Sequence, residues 1–293
     1  MDSARGSGRG RSGDVLFHEG PVVHLTYASR SDVGMIRSGN EDSVFAEANA
    51  FRGVFMVADG MGGHAAGEIA SEMAVRIVTR ELAPLREIAT PEGENALKTA
   101  LRDANRAIFE RTLAELDKQG MGTTASVLLL VGPRYLIGQV GDSRVYRARN
   151  GVLEQLTKDH SYVQEQVDAG YITPEQARFH PYSNVITRCV GASREVEPDT
   201  YSGNVQAGDV FLVASDGLTG MVDDARLQYL LTSRSSPGRL VDALINEANG
   251  RGGLDNITAV VVQVLSADDA CADVPTAEKR APVDTNTPRP ARR

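Results

Sequence analysis

The stretch Ala125-Ser126-Val127-Leu128-Leu129-Leu130-Val131-Gly132-Pro133-Arg134-Tyr135-Leu136-Ile137-Gly138-Gln139-Val140-Gly141-Asp142-Ser143-Arg144-Val145-Tyr146-Arg147 decides the fold. Three strand-like runs, Ala125 to Val131, Tyr135 to Val140 and Arg144 to Arg147, are separated only by Gly132-Pro133 and Gly141-Asp142. Such punctuation is too short for the crossover a parallel sheet needs, so an antiparallel meander is expected and Rossmann topology loses ground. Working outward, Val22 to Tyr27, Ser43 to Glu47, Val54 to Ala58, Val210 to Ala214 and Ile257 to Leu265 have the same alternating or continuous apolar character. Helical periodicity falls at about Glu68 to Leu82, at about Glu94 to Lys118 and near Arg239 to Ala248, the last stopping at Asn249-Gly250. In the second of these, Leu97, Leu101, Ala104, Ile108 and Leu116 mark one face. Strands in groups and helices in groups predict an α+β layered fold with helices covering sheet faces.

With 293 residues, 41% of them hydrophobic, the chain can bury one large core. No long linker and no repeat interrupts it, so one domain is expected over residues 22–265. The segments 1–21 and 266–293 read as disordered tails, the first opening on Gly, Ser and Arg and the second rich in proline with no aromatic. The formal charge of −8 removes the footprint that neutralises nucleic-acid phosphates, and an acidic surface instead suits divalent cations. Cys189 and Cys271 are too few for a disulfide framework or a structural zinc site, which fits a reducing, cytosolic compartment. The opening arginines have no apolar stretch behind them, so no secretory signal is read there. The longest apolar run, Val127 to Val131, is far below the roughly 18 residues of a membrane span, so a soluble protein without membrane insertion is expected. Nothing signals an oligomer.

The chemistry lies in a repeated pattern. Val54-Phe55-Met56-Val57-Ala58 runs into Asp59-Gly60, and Val210-Phe211-Leu212-Val213-Ala214-Ser215 runs into Asp216-Gly217. Asp142 follows Val140-Gly141, and Asp255 sits in Gly252-Gly253-Leu254-Asp255-Asn256, just before the last strand. Any one Asp-Gly is first a turn signal. Four carboxylates at strand ends, each beside glycine or one residue from it, point jointly to a metal site. Hard oxygen donors without a His/Cys constellation select Mg²⁺ or Mn²⁺, and clustered carboxylates are stabilised by a cation pair with one aspartate bridging. Such a pair activates water and clamps both oxygens of an in-line phosphoryl displacement. His64, on the glycine-rich loop Gly60-Met61-Gly62-Gly63-His64, is placed to protonate a leaving alkoxide, and Arg37 to grip a dianionic phosphate bidentately. Taken alone, a lone loop histidine and a surface arginine read more simply as solvated side chains.

Two rival chemistries fail, one on spacing and one on charge. A cysteine phosphatase needs Cys-x5-Arg, whereas Cys189 and Arg194 have four residues between them and Glu195 follows, so Cys189 reads as a core residue. A dinucleotide fingerprint, Gly60-x-Gly62-x-x-Ala65 with Glu81 beyond, would aim Asp59 at the pyrophosphate and leave Asp142, Asp216 and Asp255 unexplained.

The ordered set Arg37-x-x-Asn40-Glu41-Asp42, Asp59-Gly60-Met61-Gly62-Gly63-His64, Gly122-Thr123-Thr124, Gly141-Asp142-Ser143-Arg144, Leu156-Thr157-x-Asp159-His160, Ile186-Thr187-Arg188, Ser215-Asp216-Gly217 and Asp255-Asn256 resembles the metal-dependent Ser/Thr protein phosphatases of the 2C type, in their bacterial branch. The resemblance covers about residues 24–265. It implies a four-layer α-β-β-α sandwich with two central antiparallel sheets. It further implies Asp59 bridging two Mn²⁺ or Mg²⁺ ions, with the Gly60 carbonyl on the first and Asp216 and Asp255 on the second. Asp42 would act through water on the ions, and Asp142 with Asp216 would hold the third ion of bacterial relatives. Arg37 would bind the substrate phosphate and His64 would be the general acid, without a phosphoenzyme. Residues 159–191 look like the family's flap, a segment that influences substrate choice; Ser183 stands where many bacterial relatives have arginine, and Cys189 where alanine is common. The implied activity is hydrolysis of phosphoserine and phosphothreonine in phosphorylated proteins, by a cytoplasmic monomer opposing a Ser/Thr protein kinase. The alternative is a catalytically weak phosphoprotein-binding regulator of the same fold, whose signature would be loss of a metal aspartate; Asp59, Asp216 and Asp255 are all present.

Overall fold

The computed structural model describes residues 22–62 and 65–268. In chain order the elements are β1 (Val22–Asp32), β2 (Asp42–Ala48), β3 (Arg52–Met61), α1 (Ala65–Leu82), α2 (Pro91–Ala114), β4 (Gly122–Thr123), β5 (Ala125–Val131), β6 (Arg134–Val140), β7 (Arg144–Arg149) and β8 (Val152–Gln155). There follow α3 (Tyr162–Asp168), α4 (Pro174–Arg178), β9 (Asp199–Asn204), β10 (Val210–Ala214), α5 (Asp216–Thr219), α6 (Asp224–Leu231), α7 (Pro237–Gly250) and β11 (Ile257–Asp268). One sheet has the order β1-β11-β10-β7-β8, the other β2-β3-β5-β6-β9 with β4 alongside β3. Every pairing between these strands is antiparallel, which closes the dinucleotide-binding reading.

The apolar runs are continuous because the central strands are covered on both faces. Side chains alternate across a strand, so Val54, Met56 and Ala58 of β3 join the core beneath α1 and α2, while Phe55 and Val57 enter the core between the sheets. On the other sheet, Leu212 and Ala214 of β10 face the core with α6 and α7, while Phe211 and Val213 meet the opposite sheet. Three cores between four layers give the expected α-β-β-α sandwich.

Helix α2 starts where Thr90 accepts the Gly93 N–H with Pro91 in the first turn, and its buried Leu97, Leu101, Ala104 and Ile108 form the expected stripe. Leu116 does not belong to it: the helix ends at Ala114, and Leu116 lies in a short 3₁₀ turn, 81% exposed. The meander also stops earlier than the punctuation suggests. Strands β5 and β6 form a hairpin, but β6 has β5 on one edge and β9 on the other, so the chain crosses at Gly141-Asp142 to the opposite sheet. At the far end β11 runs three residues past Leu265, because β1 begins at Val22 and offers Asp268 a partner. The remainder of both tails lies outside the described residues. The short elements β4, β8, β9 and α3 to α6 carry too few periods to announce themselves in sequence. Among the described residues no helix is long and apolar enough to cross a membrane.

Candidate active site

Both sheets deliver carboxylates to one place. Asp59 lies within β3, and the register sets it directly opposite Asp42 of β2. Like charges facing across a strand pair repel, so this register needs positive charge or a proton to be tolerated. From the other sheet, Asp216 opens α5 immediately after β10, and Asp255 stands just before β11. Asp142 occupies the crossing between the sheets.

The glycines after Asp59 and Asp216 serve close packing rather than turns. A Cβ on Gly60 would lie 2.2 Å from the Gly67 carbonyl oxygen and 2.5 Å from that of Glu41, and one on Gly217 would lie 2.0 Å from the Asn256 carbonyl oxygen. The backbone of each Asp-Gly is thereby pressed against the next segment of the site.

Short polar side chains then fix the carboxylates. Thr124 Oγ1 accepts the Asp59 N–H at 2.9 Å, and the Asp59 carbonyl accepts from the Thr124 N–H and the Thr123 hydroxyl, each at 2.9 Å. Ser215 Oγ donates to Asp42 Oδ2 at 2.9 Å and accepts the Thr258 N–H at 3.0 Å, joining the two sheets through one hydroxyl. Buried Asn256 accepts the Glu41 N–H at 2.8 Å and donates to the Val33 and Gly39 carbonyls, clamping the loop that carries Arg37 beside Asp255. Arg37 donates to Asp255 Oδ2 at 2.7 Å, with both side chains partly exposed.

Electrostatics test whether cations fit. Burial pushes Asp42 up to about 7, against hydrogen bonds from Thr258 and Ser215 that favour the charged form. Burial also raises Asp59 well above the carboxylate range, with the charges of Asp42, Asp216 and Asp142 adding to it. Asp142 is raised by burial and then by Asp216 and Asp159. Asp216 is raised by burial, against a hydrogen bond shared with Asp59. Three oxygens, Asp42 Oδ1, Asp142 Oδ1 and Asp216 Oδ1, are buried without a hydrogen-bond partner. Among the described residues no three His, Cys, Asp or Glu side chains converge as a finished metal site in this arrangement. The donor set nevertheless fits hard divalent cations: it is all oxygen, charge-crowded and short of positive partners.

Arg37, Asp42, Asp59, Gly60, Asp142, Asp216 and Asp255 are therefore brought together, with Arg37 held on Asp255. His64 lies outside the described residues. Cys189 is half-buried, and burial raises its thiol, so no thiolate nucleophile stands there. Sequence reasoning missed the fixing roles of Thr124, Ser215, Asn256 and Thr258. The first three adjoin candidate carboxylates or fall in the quoted motifs, whereas Thr258 carries no signal. A groove of about 1070 Å³ between α2 and residues 194–197, lined by Arg102, Phe109 and Val196, contains none of these carboxylates.

The family described as Protein phosphatase 2C matches residues 36–247. The serine/threonine phosphatase stp of Listeria innocua serovar 6a is 40% identical over 237 residues, covering 80% of this chain and 94% of its own. The serine/threonine protein phosphatase PstP of Mycobacterium tuberculosis is 42% identical over 248 residues, 83% of this chain and 46% of its own. Among solved structures, the catalytic domain of a PstP in complex with two manganese ions superposes with a TM-score of 0.71 at 40% identity, covering 83% of this chain and 99% of that one. Stp1 from Staphylococcus aureus superposes at 0.79 with 32% identity, covering 84% and 98%.

Proposed function

Because the chain belongs to the protein phosphatase 2C family, we infer that it is a serine/threonine protein phosphatase that hydrolyses phosphoserine and phosphothreonine in proteins with two manganese or magnesium ions. The observation that carries this reading is the buried carboxylate cluster drawn from both sheets, with three orphaned oxygens beside an arginine. Asp59, the Gly60 carbonyl, Asp216 and Asp255 would hold the two ions, with Asp42 acting alongside and Asp142 with Asp216 holding a third. When bound, such ions neutralise the carboxylates and bring the pKa of water toward neutrality.

The protein's own groups supply the rest. Arg37 sits at the rim on a loop clamped by Asn256, and exchanging Asp255 for the dianionic phosphate would hold the ester against the cluster. Asp42, held by Ser215, is placed to accept a proton as water attacks. His64 follows Asp59 by five residues and would return a proton to the leaving serine or threonine alkoxide. The catalytic domain would extend over about residues 22–265, with the flap at about 159–191. A cytoplasmic monomer reversing a Ser/Thr protein kinase accords with the soluble character of the sequence and with the phosphatase names of the relatives.

The test is phosphate release from a phosphothreonine peptide, with Mn²⁺, with chelator, and after Asp216→Ala. Turnover that requires the metal and is lost in the variant is expected. Metal-independent turnover would overturn the reading, and tight Mn²⁺ binding without turnover would leave a phosphoprotein-binding regulator.

A further inference from the structure

His160 stands at the start of the flap, yet it is 5% exposed and its ring lies in a buried polar contact. Its ring Nδ1 accepts the Gly141 N–H at 3.1 Å, and its own backbone N–H donates to the Gly141 carbonyl at 2.9 Å. That carbonyl also accepts from Gln139 Nε2 at 3.0 Å. Gly141 has little freedom otherwise: its φ is +102°, and a Cβ there would strike Thr124 at 2.6 Å. The next residue is Asp142, whose buried Oδ1 has no hydrogen-bond partner.

The other side of the ring is equally defined. Since Nδ1 accepts, the neutral ring carries its proton on Nε2, which donates to Asp199 Oδ2 at 3.1 Å. Arg188 Nη1 also lies 3.1 Å from Nε2, but its hydrogen bonds go to Asp199 Oδ1 at 2.8 Å and the Glu197 carbonyl at 2.9 Å. Arg188 belongs to the far end of the flap, where the Thr187 N–H returns to the His160 carbonyl at 2.8 Å and Ser161 bridges Ile186. Two residues on, Val190 pairs with Thr123, which holds the Asp59 carbonyl. One root of the flap is thus bonded to the backbone that presents Asp142, and the other to Thr123, whose hydroxyl holds the Asp59 carbonyl.

We propose that His160 is a positioning residue for Asp142: its ring clamps the Gly141 peptide, anchored in turn on Asp199 of β9, and so aims the carboxylate at the crossing between the sheets. This rests on Asp142 serving the metal site proposed above. The chemical logic is that of an outer partner that orients a ligand without touching the ion, and loss of such partners costs 10- to 100-fold in metal affinity.

Two substitutions separate positioning from mere packing. In His160→Asn the amide oxygen can occupy the Nδ1 position and keep the Gly141 N–H, whereas in His160→Gln the amide reaches the Nε2 position and abandons it. Calorimetric titration of each purified full-length variant with Mn²⁺ alone is expected to show weaker binding in His160→Gln, by about 10- to 100-fold at one class of site. His160→Asn is expected to recover most of it. In phosphopeptide turnover the same loss should fall on kcat, with KM little changed. Equal Mn²⁺ binding in wild type and both variants overturns the proposal, as does equal weakening in both. Wild-type turnover and its loss in Asp216→Ala are read alongside, so failure of the phosphatase reading is seen separately. Should His160→Gln not fold, ¹⁵N resonances of the wild-type imidazole decide. The expected spectrum has bare Nδ1, protonated Nε2 and a His160 shift on adding Mg²⁺; the reverse tautomer or an unmoved resonance overturns the proposal.

Discussion

Asp59-Gly60 and Asp216-Gly217 read alike in the sequence, an apolar strand ending in the same dipeptide, yet they fold differently. Asp59 stays in the strand, which continues to Met61 with Gly60 paired to Thr123. Asp216 leaves the strand and opens a four-residue helix. What they share is the contact after the aspartate, where only a hydrogen in place of Cβ lets the neighbouring backbone approach. The comparison teaches that the dipeptide encodes proximity rather than a conformation. One sheet presents its carboxylate by register against Asp42, the other by a strand-to-helix corner, and Ser215 ties the two.

The largest expected effect tests whether the two aspartates are equivalent. Asp59→Ala and Asp216→Ala should each lower Mn²⁺-dependent turnover by at least about 10²- to 10³-fold, the scale of losing one strong electrostatic contact at a reacting centre. Relief of crowded like charge should leave both variants folded without metal. If Asp216→Ala kept full activity while Asp59→Ala lost it, the symmetry would be broken and Asp216 would leave the metal set.

The glycines sharpen the comparison in stability. Gly60→Ala and Gly217→Ala each place a Cβ into fixed backbone, and an overpacking cost of about 1–3 kcal/mol is expected at each. Urea unfolding checks this. A neutral Gly217→Ala would show that its helix turn can move aside, which the paired strand around Gly60 cannot.

This contrast also shows what a sequence exposes. A layered fold with covered sheets was legible because strands covered on both faces must be apolar at every position, as in Val127 to Leu130, whereas the count of four layers came from the family resemblance. The carboxylates were legible because charge at the end of such a run demands a reason. The crossing at Gly141-Asp142 was not, since a glycine-aspartate pair serves a hairpin and a sheet change alike, and only β9 on the far edge of β6 decides. The roles of Thr124 and Asn256 were equally hidden, because each depends on a partner far away in sequence, Asp59 for the threonine and Val33 with Gly39 for the asparagine.

Metal should bind the two halves into one unit. At about 100 times its dissociation constant, Mn²⁺ is expected to stabilise the fold by about 2.7 kcal/mol over the chelated protein. Ser215→Ala removes the hydroxyl between the halves and should cost about 1 kcal/mol by the same assay. An unchanged melting curve on chelation would mean the halves are held by packing alone.

The smallest expected effect concerns the crossing that joins the sheets. His160 is neutral in the fold, because burial lowers its pKa from the usual 6.5 against the opposing pull of Asp199, with Arg188 adding to the depression. A depressed base binds fewer protons folded than unfolded, so its contribution to stability is complete above about 6.5 and is lost as pH falls toward the folded value. Asp199 is held below the ordinary carboxylate value of 3.8, since against burial its hydrogen bonds from His160 and Arg188 prevail, so its loss begins only below that value. Between those limits the raised carboxylates Asp42, Asp59, Asp142 and Asp216 take up protons in both proteins and steady the chelated fold, so His160 is read in the difference. Wild type should lose stability relative to His160→Asn as pH falls, since an amide has no proton to gain. Urea midpoints taken every half pH unit separate the two. Parallel curves would mean that acid acts elsewhere and that the crossing does not depend on a neutral ring at position 160.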